Sequence, residues 1–162
     1  MKKMMLLVGL LCVYGLNYAA TSDTFNVHAK VIEPVAIEVI GESVEFDELI
    51  PGTSNQSNKE GVTIKISGEE GKRVALSYEI DGEKLKYGQV DLISESSPEA
   101  ATLDVVLYKN ENRGQLLQDE NFVLEKDGKQ FEVNGYIRNG VPSDAVRGDY
   151  YSKNITVKVQ YE

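Results

Sequence analysis

The chain is poor in the residues that build reactive or cross-linked sites. Its 162 residues contain one cysteine, one histidine, four prolines and no tryptophan. The cysteine, Cys12, lies in a leader that we expect to be removed, so the secreted protein has neither a disulfide framework nor a cysteine nucleophile. A zinc site built from His and Cys ligands is not expected either. We therefore predict no metal, no cofactor and a fold that depends on its hydrophobic core.

Positive charge is also scarce. The chain has 17 Lys+Arg against 26 Asp+Glu, a formal net charge of −9. Binding of nucleic acid requires clustered Lys and Arg to neutralise phosphates, and an anionic membrane surface attracts the same residues. The sequence thus disfavours both as partners.

Residues 1–20 have the layout of a secretory signal peptide. Lys2 and Lys3 precede an apolar run of 13 residues, and Ala19 and Ala20 provide small residues for cleavage. The run is shorter than the roughly 20 residues that a spanning helix needs, and the large Leu11 before the cysteine disfavours a lipoprotein. We expect export through the Sec pathway, which leaves 15 Lys+Arg against 26 Asp+Glu and a net charge of −11.

Apolar residues alternate with polar ones through most of the remaining chain, and this period of two predicts β-strands. The first runs over residues 24–33, Pro34 interrupts it, and Val35, Ile37 and Val39 resume it. Further strands are predicted at residues 44–46, 62–66, 74–80, 85–93, 103–108, 121–125, 130–137 and 151–161.

Turn residues separate these strands. Asp81-Gly82 and Asp127-Gly128 each lie between two alternating runs and predict hairpins, because a type I′ turn requires positive φ. No segment after the leader has the apolar stripe of a three-turn helix. The predicted fold class is all-β, an antiparallel β-sandwich of immunoglobulin-like type in a single domain.

Catalytic residue combinations are missing. His28, the single histidine, falls on the polar face of the first predicted strand, where it lacks the pocket that a catalytic base needs. Asp47 and Glu48 are adjacent acids of the kind that surface turns contain. We therefore predict that the protein is not an enzyme.

The two ends of the secreted chain are its most informative parts. In the last predicted strand, Tyr151, Ile155, Val157, Val159 and Tyr161 face one way. The first predicted strand is separated from the body by Pro34, so it could leave its own fold and complete the sheet of another subunit by β-strand addition.

At these residues the sequence resembles fimbrial subunits of the chaperone–usher pathway. The resemblance rests on the segment Val27-x-Ala29-x-Val31-x-x-Pro34, on Gly148 before the last strand and on the penultimate Tyr161. It is closest to the disulfide-free class-5, or CS1-like, pilins. The chain departs from type 1 and P pilus subunits, which usually carry a disulfide, and Gly148 is one place off the usual spacing.

The resemblance implies an incomplete sandwich over residues 34–162 that lacks its final strand, preceded by a donor-strand extension over residues 21–33. Phe25, Val27, Ala29 and Val31 would fill the groove of a neighbouring subunit, beside its C-terminal strand. The implied partners are other copies of the chain in a surface fimbria, a periplasmic chaperone, an outer-membrane usher and a host receptor. The alternative is a self-contained monomeric secreted sandwich that binds carbohydrate or protein.

Overall fold

The computed structural model describes residues 26–54 and 56–162. The chain divides into two compact units, Met1–Val31 and Ile32–Glu162. Within the first unit, the described residues 26–31 form no strand. The predicted leader, residues 1–20, and Phe25 lie outside the described residues.

The second unit is built from ten strands, and the described residues contain no helix. This confirms the predicted all-β class. The strands are β1 (Ala36–Ile40), β2 (Val62–Ser67), β3 (Arg73–Ile80), β4 (Glu83–Lys84), β5 (Gln89–Ser94), β6 (Leu103–Lys109), β7 (Glu120–Val123), β8 (Lys129–Ile137), β9 (Tyr150–Tyr151) and β10 (Ile155–Tyr161).

These strands form two antiparallel sheets. The larger sheet has the order β1-β2-β8-β6-β5-β9, and the smaller has the order β10-β3-β4, with β7 also paired to β3. The first strand of the domain, β1, is therefore an edge strand of the larger sheet. The last strand, β10, is an edge strand of the smaller sheet.

The core lies between the inner faces of the two sheets, as expected for a sandwich-like fold. Val74, Leu76 and Tyr78 of β3 are at most 1% exposed, and they belong to one hydrophobic cluster with inner-face residues of β2, β6 and β8. The alternation seen in the sequence is thus an alternation of core and surface. The remaining members from those three strands are Ile64, Ile66, Leu103, Val105, Leu107, Phe131, Val133 and Ile137.

One of the two Asp-Gly hairpin predictions is confirmed and the other is wrong. Asp81 and Gly82 both have positive φ, 54° and 81°, and they connect the paired strands β3 and β4. Asp127-Gly128 instead connects β7 in the smaller sheet to β8 in the larger one. The dipeptide bends the chain in both places, but long-range packing decides whether the flanking strands pair.

Four predicted strands differ from the observed ones. Residues 26–33 of the first form no strand, and residues 44–46 contribute only an isolated bridge between Glu45 and Glu60. Positive φ at Tyr87 and Gly88 breaks the predicted strand 85–93 before β5. The predicted strand 151–161 is divided, because the chain leaves the larger sheet after β9 and enters the smaller sheet at β10.

Candidate functional site

The C-terminal strand β10 forms an edge of the smaller sheet. Among the described residues it pairs with β3 alone, from Ile155 opposite Ile80 to Tyr161 opposite Val74. Directly opposed residues of an antiparallel pair point to the same face. Because the facing positions of β3 are core residues, the inner face of β10 consists of Ile155, Val157, Val159 and Tyr161.

The inner face of β10 is less covered than that of its neighbour. Tyr78, opposite Val157, is fully buried, and Leu76, opposite Val159, is 1% exposed. The four inner residues of β10 are only half-buried. The apolar inner-face side chains of β10 therefore remain partly in contact with water, although the same face of β3 is buried in the core.

Strand β1 shows the same pattern at the edge of the larger sheet. Ile37 and Val39 lie opposite Ile66 and Ile64, which are each 2% exposed. Val39 is nevertheless 49% exposed on this inner face. Since β1 and β10 contact each other, the two incompletely covered edges adjoin. We call the inner faces of these two strands the edge groove.

The hydroxyl group of Tyr161 joins three segments at this edge. It donates a hydrogen bond to the carbonyl oxygen of Glu33 at 2.7 Å and accepts one from the backbone N–H of Glu69 at 2.7 Å. Gly68 makes room for this contact, because a Cβ at that position would collide with the hydroxyl oxygen. The penultimate residue thus ties the last strand to the β2–β3 turn and to the segment before β1.

The predicted donor residues that the structure describes lie outside any strand. Val27 is 87% exposed and Val31 is 94% exposed, and Ala29 between them is also exposed. Isolated exposed valines are common on protein surfaces. Val27, Ala29 and Val31 occupy every second position, which is the spacing of one strand face.

Tyr151 and Gly148 are placed away from the edge groove. Tyr151 lies in β9 opposite Ile93, at the edge of the larger sheet beside β5, and is 59% exposed. Gly148 precedes β9 rather than β10. The structure therefore brings together four of the five predicted C-terminal residues, Ile155, Val157, Val159 and Tyr161, and separates Tyr151 from them.

A second site, which is polar, lies at one end of the core. Lys109 continues the inner-face row of β6, is 8% exposed and places its ammonium group 4.8 Å from the centre of the Phe131 ring. Its Nζ is 2.7 Å from Oε1 of Glu120, and the Nζ of Lys129 is 3.1 Å from the same oxygen. Two ammonium groups therefore share one carboxylate oxygen.

Burial and ion pairing shift the pKa values of Lys109 and Glu120 in opposite directions. Burial lowers the pKa of Lys109, and the hydrogen bond to Glu120 offsets this only in part. Burial acts to raise the pKa of Glu120, but hydrogen bonds from Lys109 and Lys129 outweigh it and hold that pKa below its ordinary value. Burial therefore dominates the pKa of Lys109 and ion pairing dominates that of Glu120, because Lys109 is the more deeply buried of the two.

Residues 26–54 and 56–162 contain no group of three or more His, Cys, Asp or Glu side chains placed to hold a metal ion. No helix in the same ranges is long and apolar enough to cross a membrane. His28 is exposed.

Sequence reasoning missed two features of these sites. The exposure of Val39 depends on which strands lie beside β1, and the local sequence pattern does not predict those neighbours. Lys109 did leave a signal, since it follows Leu103, Val105 and Leu107 at a period of two. A lysine at the end of a strand is usually exposed, however, and this one turns into the core.

Comparison with known protein families finds none that matches the chain, and comparison with curated proteins finds no significant match.

Proposed function

We propose that the protein is a structural subunit that polymerises by strand exchange. The extension of one copy, residues 21–33, adds a strand to the edge groove of the next copy. The observation that carries this proposal is the incomplete cover on the inner faces of β1 and β10, two adjoining sheet edges. An added strand would cover both edges.

The extension and the groove have matching dimensions. Residues 25–31 comprise seven residues, with Phe25, Val27, Ala29 and Val31 at alternate positions. β10 also has seven residues, and four of its side chains point inward. A strand in register along β10 would form main-chain hydrogen bonds with its open edge and direct one row of side chains into the groove.

The energy of this exchange resides mainly in the larger donor residues. Burying a valine or phenylalanine side chain contributes about 1.5–3 kcal/mol each, and Ala29 contributes less. Val27 and Val31 expose nearly all of their surface in the single chain, so almost all of this energy is available on assembly.

Such an assembly is heterologous, because the extension of each copy binds a different surface on the next. A contact of this kind does not close on itself, so the product is a filament. Until the groove is filled, the apolar edge is prone to aggregation. The proposal therefore includes a periplasmic chaperone, an outer-membrane usher and a fimbrial location outside the cell, where a host receptor is the remaining partner. The role is structural and not enzymatic.

The test is a denaturing gel run without heating, on protein that begins at residue 21 and on protein that begins at residue 34. A ladder that disappears on heating, and that the shorter protein does not form, is the expected result. A monomer from both proteins would overturn the proposal. That outcome would favour the alternative, a self-contained secreted sandwich that binds carbohydrate or protein.

A further inference from the structure

A cleft of about 580 Å³ opens beside the buried lysine at one end of the sandwich. Its lining includes Lys109, Gln115, Gln118, Glu120, Lys129 and Gln130. We call these six residues the lysine cleft. Its volume falls within the range of roughly 300–1,000 Å³ that small-molecule sites occupy.

The charge of the cleft is opposite to that of the chain. Glu120 is the one acidic residue in its lining, and it faces two lysines. The cleft therefore carries one net positive charge in a chain whose formal net charge is −9. Because Lys109 is buried, its charge is poorly hydrated, and a second anion in the cleft would stabilise it.

The ammonium groups are held in place by aromatic rings. The Nζ of Lys109 lies 4.8 Å from the Phe131 ring centre, and the Nζ of Lys129 lies 3.9 Å from that of Phe122. Such contacts stabilise cations in partly desolvated positions. The lowered pKa of Lys109 has the same origin as its poor hydration, namely burial.

Two of the glutamines add neutral hydrogen-bonding groups. Gln115 and Gln118 are exposed, so their side-chain amides are accessible to a ligand. Each amide can donate and accept, so together they suit a ligand that carries several hydroxyl groups.

The loop that carries Gln115 is fixed before any ligand arrives. The backbone N–H of Lys109 donates to the carbonyl of Gln115 at 2.8 Å, and Leu117 N–H donates to the carbonyl of Leu107 at 2.9 Å. The side chain of Asn112 accepts a hydrogen bond from Gly114 N–H at 3.0 Å. The backbone of this loop therefore requires little ordering on binding, which favours affinity.

We propose that the lysine cleft binds a sugar that carries a carboxylate. Its carboxylate contacts Lys129 and Lys109, and its hydroxyls contact the side-chain amides of Gln115 and Gln118. The lysine cleft shares no residue with the edge groove, so this proposal does not rest on polymerisation.

Isothermal titration calorimetry with sodium D-glucuronate tests this, on protein that begins at residue 21 and at constant ionic strength. We expect saturable binding in the millimolar range, at least tenfold weaker binding of acetate, and no saturable heat with D-glucose. Lys129→Gln, at a side chain that is 34% exposed, should weaken glucuronate binding at least tenfold. Lys153→Gln, at a surface lysine paired with Asp81, should leave it unchanged.

Three results would overturn the proposal. They are the absence of saturable heat with glucuronate, equal affinity for glucuronate and glucose, and unchanged binding in Lys129→Gln. Acetate bound as tightly as glucuronate would overturn the assignment of a sugar, because the glutamines would then contribute nothing.

Discussion

The hydroxyl group of Tyr78 is a polar atom buried in the middle of the core. Tyr78 is fully buried, and its Oη has no hydrogen-bond partner among the described residues. Burial raises the pKa of this hydroxyl, and the nearby Glu120 and Asp119 act in the same direction. A buried unsatisfied hydroxyl costs about 1–3 kcal/mol, so the wild-type core contains a removable defect.

Tyr78→Phe should therefore stabilise the protein, by about 1 kcal/mol, as measured by urea unfolding. The matched control is Tyr150→Phe, because the Tyr150 hydroxyl accepts from Val146 N–H at 3.0 Å and donates to the Val146 carbonyl at 3.1 Å. That variant should lose about 1 kcal/mol. Loss of stability in Tyr78→Phe would show that its hydroxyl is bonded after all.

Glu120 makes folding sensitive to acid. Its pKa is lowered in the folded state, so its stabilising contribution is complete above the unfolded-state pKa of about 4.3 and is lost as the pH falls through the lower folded-state pKa. Asp119, whose pKa is held down by Lys84 and by the backbone N–H of Tyr78 against the effect of burial, acts in the same sense.

Urea midpoints measured from pH 7 to pH 3 should thus decrease on the acid side. Glu120→Gln should lower stability at pH 7 by about 1–3 kcal/mol, since it leaves Lys109 without its anionic partner. It should also show a shallower decrease with acid. Glu42→Gln removes an exposed carboxylate and serves as control. A Glu120→Gln profile parallel to that of the wild type would contradict this account.

At the scale of the elements, Tyr161 connects β10 to two other segments through one oxygen atom. Tyr161→Phe removes the hydrogen bonds to Glu33 and from Glu69 together, and we expect a loss of about 1–3 kcal/mol in urea unfolding. Tyr151→Phe, at an exposed position in β9, should change stability by less than about 0.5 kcal/mol. Equal effects of the two changes would mean that the Tyr161 contacts contribute little.

Two single substitutions at neighbouring positions test whether the extension acts as the donor strand. Val27→Asp places a carboxylate on the face that we propose enters the groove, and it should abolish the heat-sensitive ladder while leaving the domain folded. His28→Asp places the same group on the opposite face, one residue away, and should leave the ladder intact. Normal filaments from Val27→Asp would reject the donor-strand assignment.

Strand positions were more predictable than strand partners. The long strands β3 and β8 follow from alternation, because each has one face in the core. β6, in contrast, is buried on both faces except at Asp104. The sheet to which a strand belongs is set by distant residues, so the same Asp-Gly signal marks a hairpin at Asp81 and a crossing between sheets at Asp127. A groove beside the C-terminal strand was expected only from a resemblance at the chain ends, and the contribution of Val39 in β1 depends on long-range packing that no local pattern encodes.

At the scale of the whole molecule, each copy of the proposed subunit has one donor and one acceptor. Protein that begins at residue 34 can accept a strand but cannot donate one, so it should terminate growth. Co-expression with the wild type should shift the unheated ladder toward shorter species as its share increases. Adding Val157→Asp to the truncated protein removes the acceptor function as well, and that variant should leave the ladder unchanged. Identical ladders in both mixtures would argue against head-to-tail growth.

The position of Tyr161 also determines where a pulling force enters the domain. Tension applied through residues 21–33 reaches Glu33, whose carbonyl is bonded to the Tyr161 hydroxyl one residue from the end of the chain. The force then passes along the backbone into β1 and, through this hydrogen bond, into the end of β10. There it is shared along the ladder with β3, which extends over all seven residues of β10. Resistance to pulling depends on the rate of unfolding rather than on equilibrium stability. One tyrosine hydroxyl thus couples the tether of the subunit to its longest edge contact.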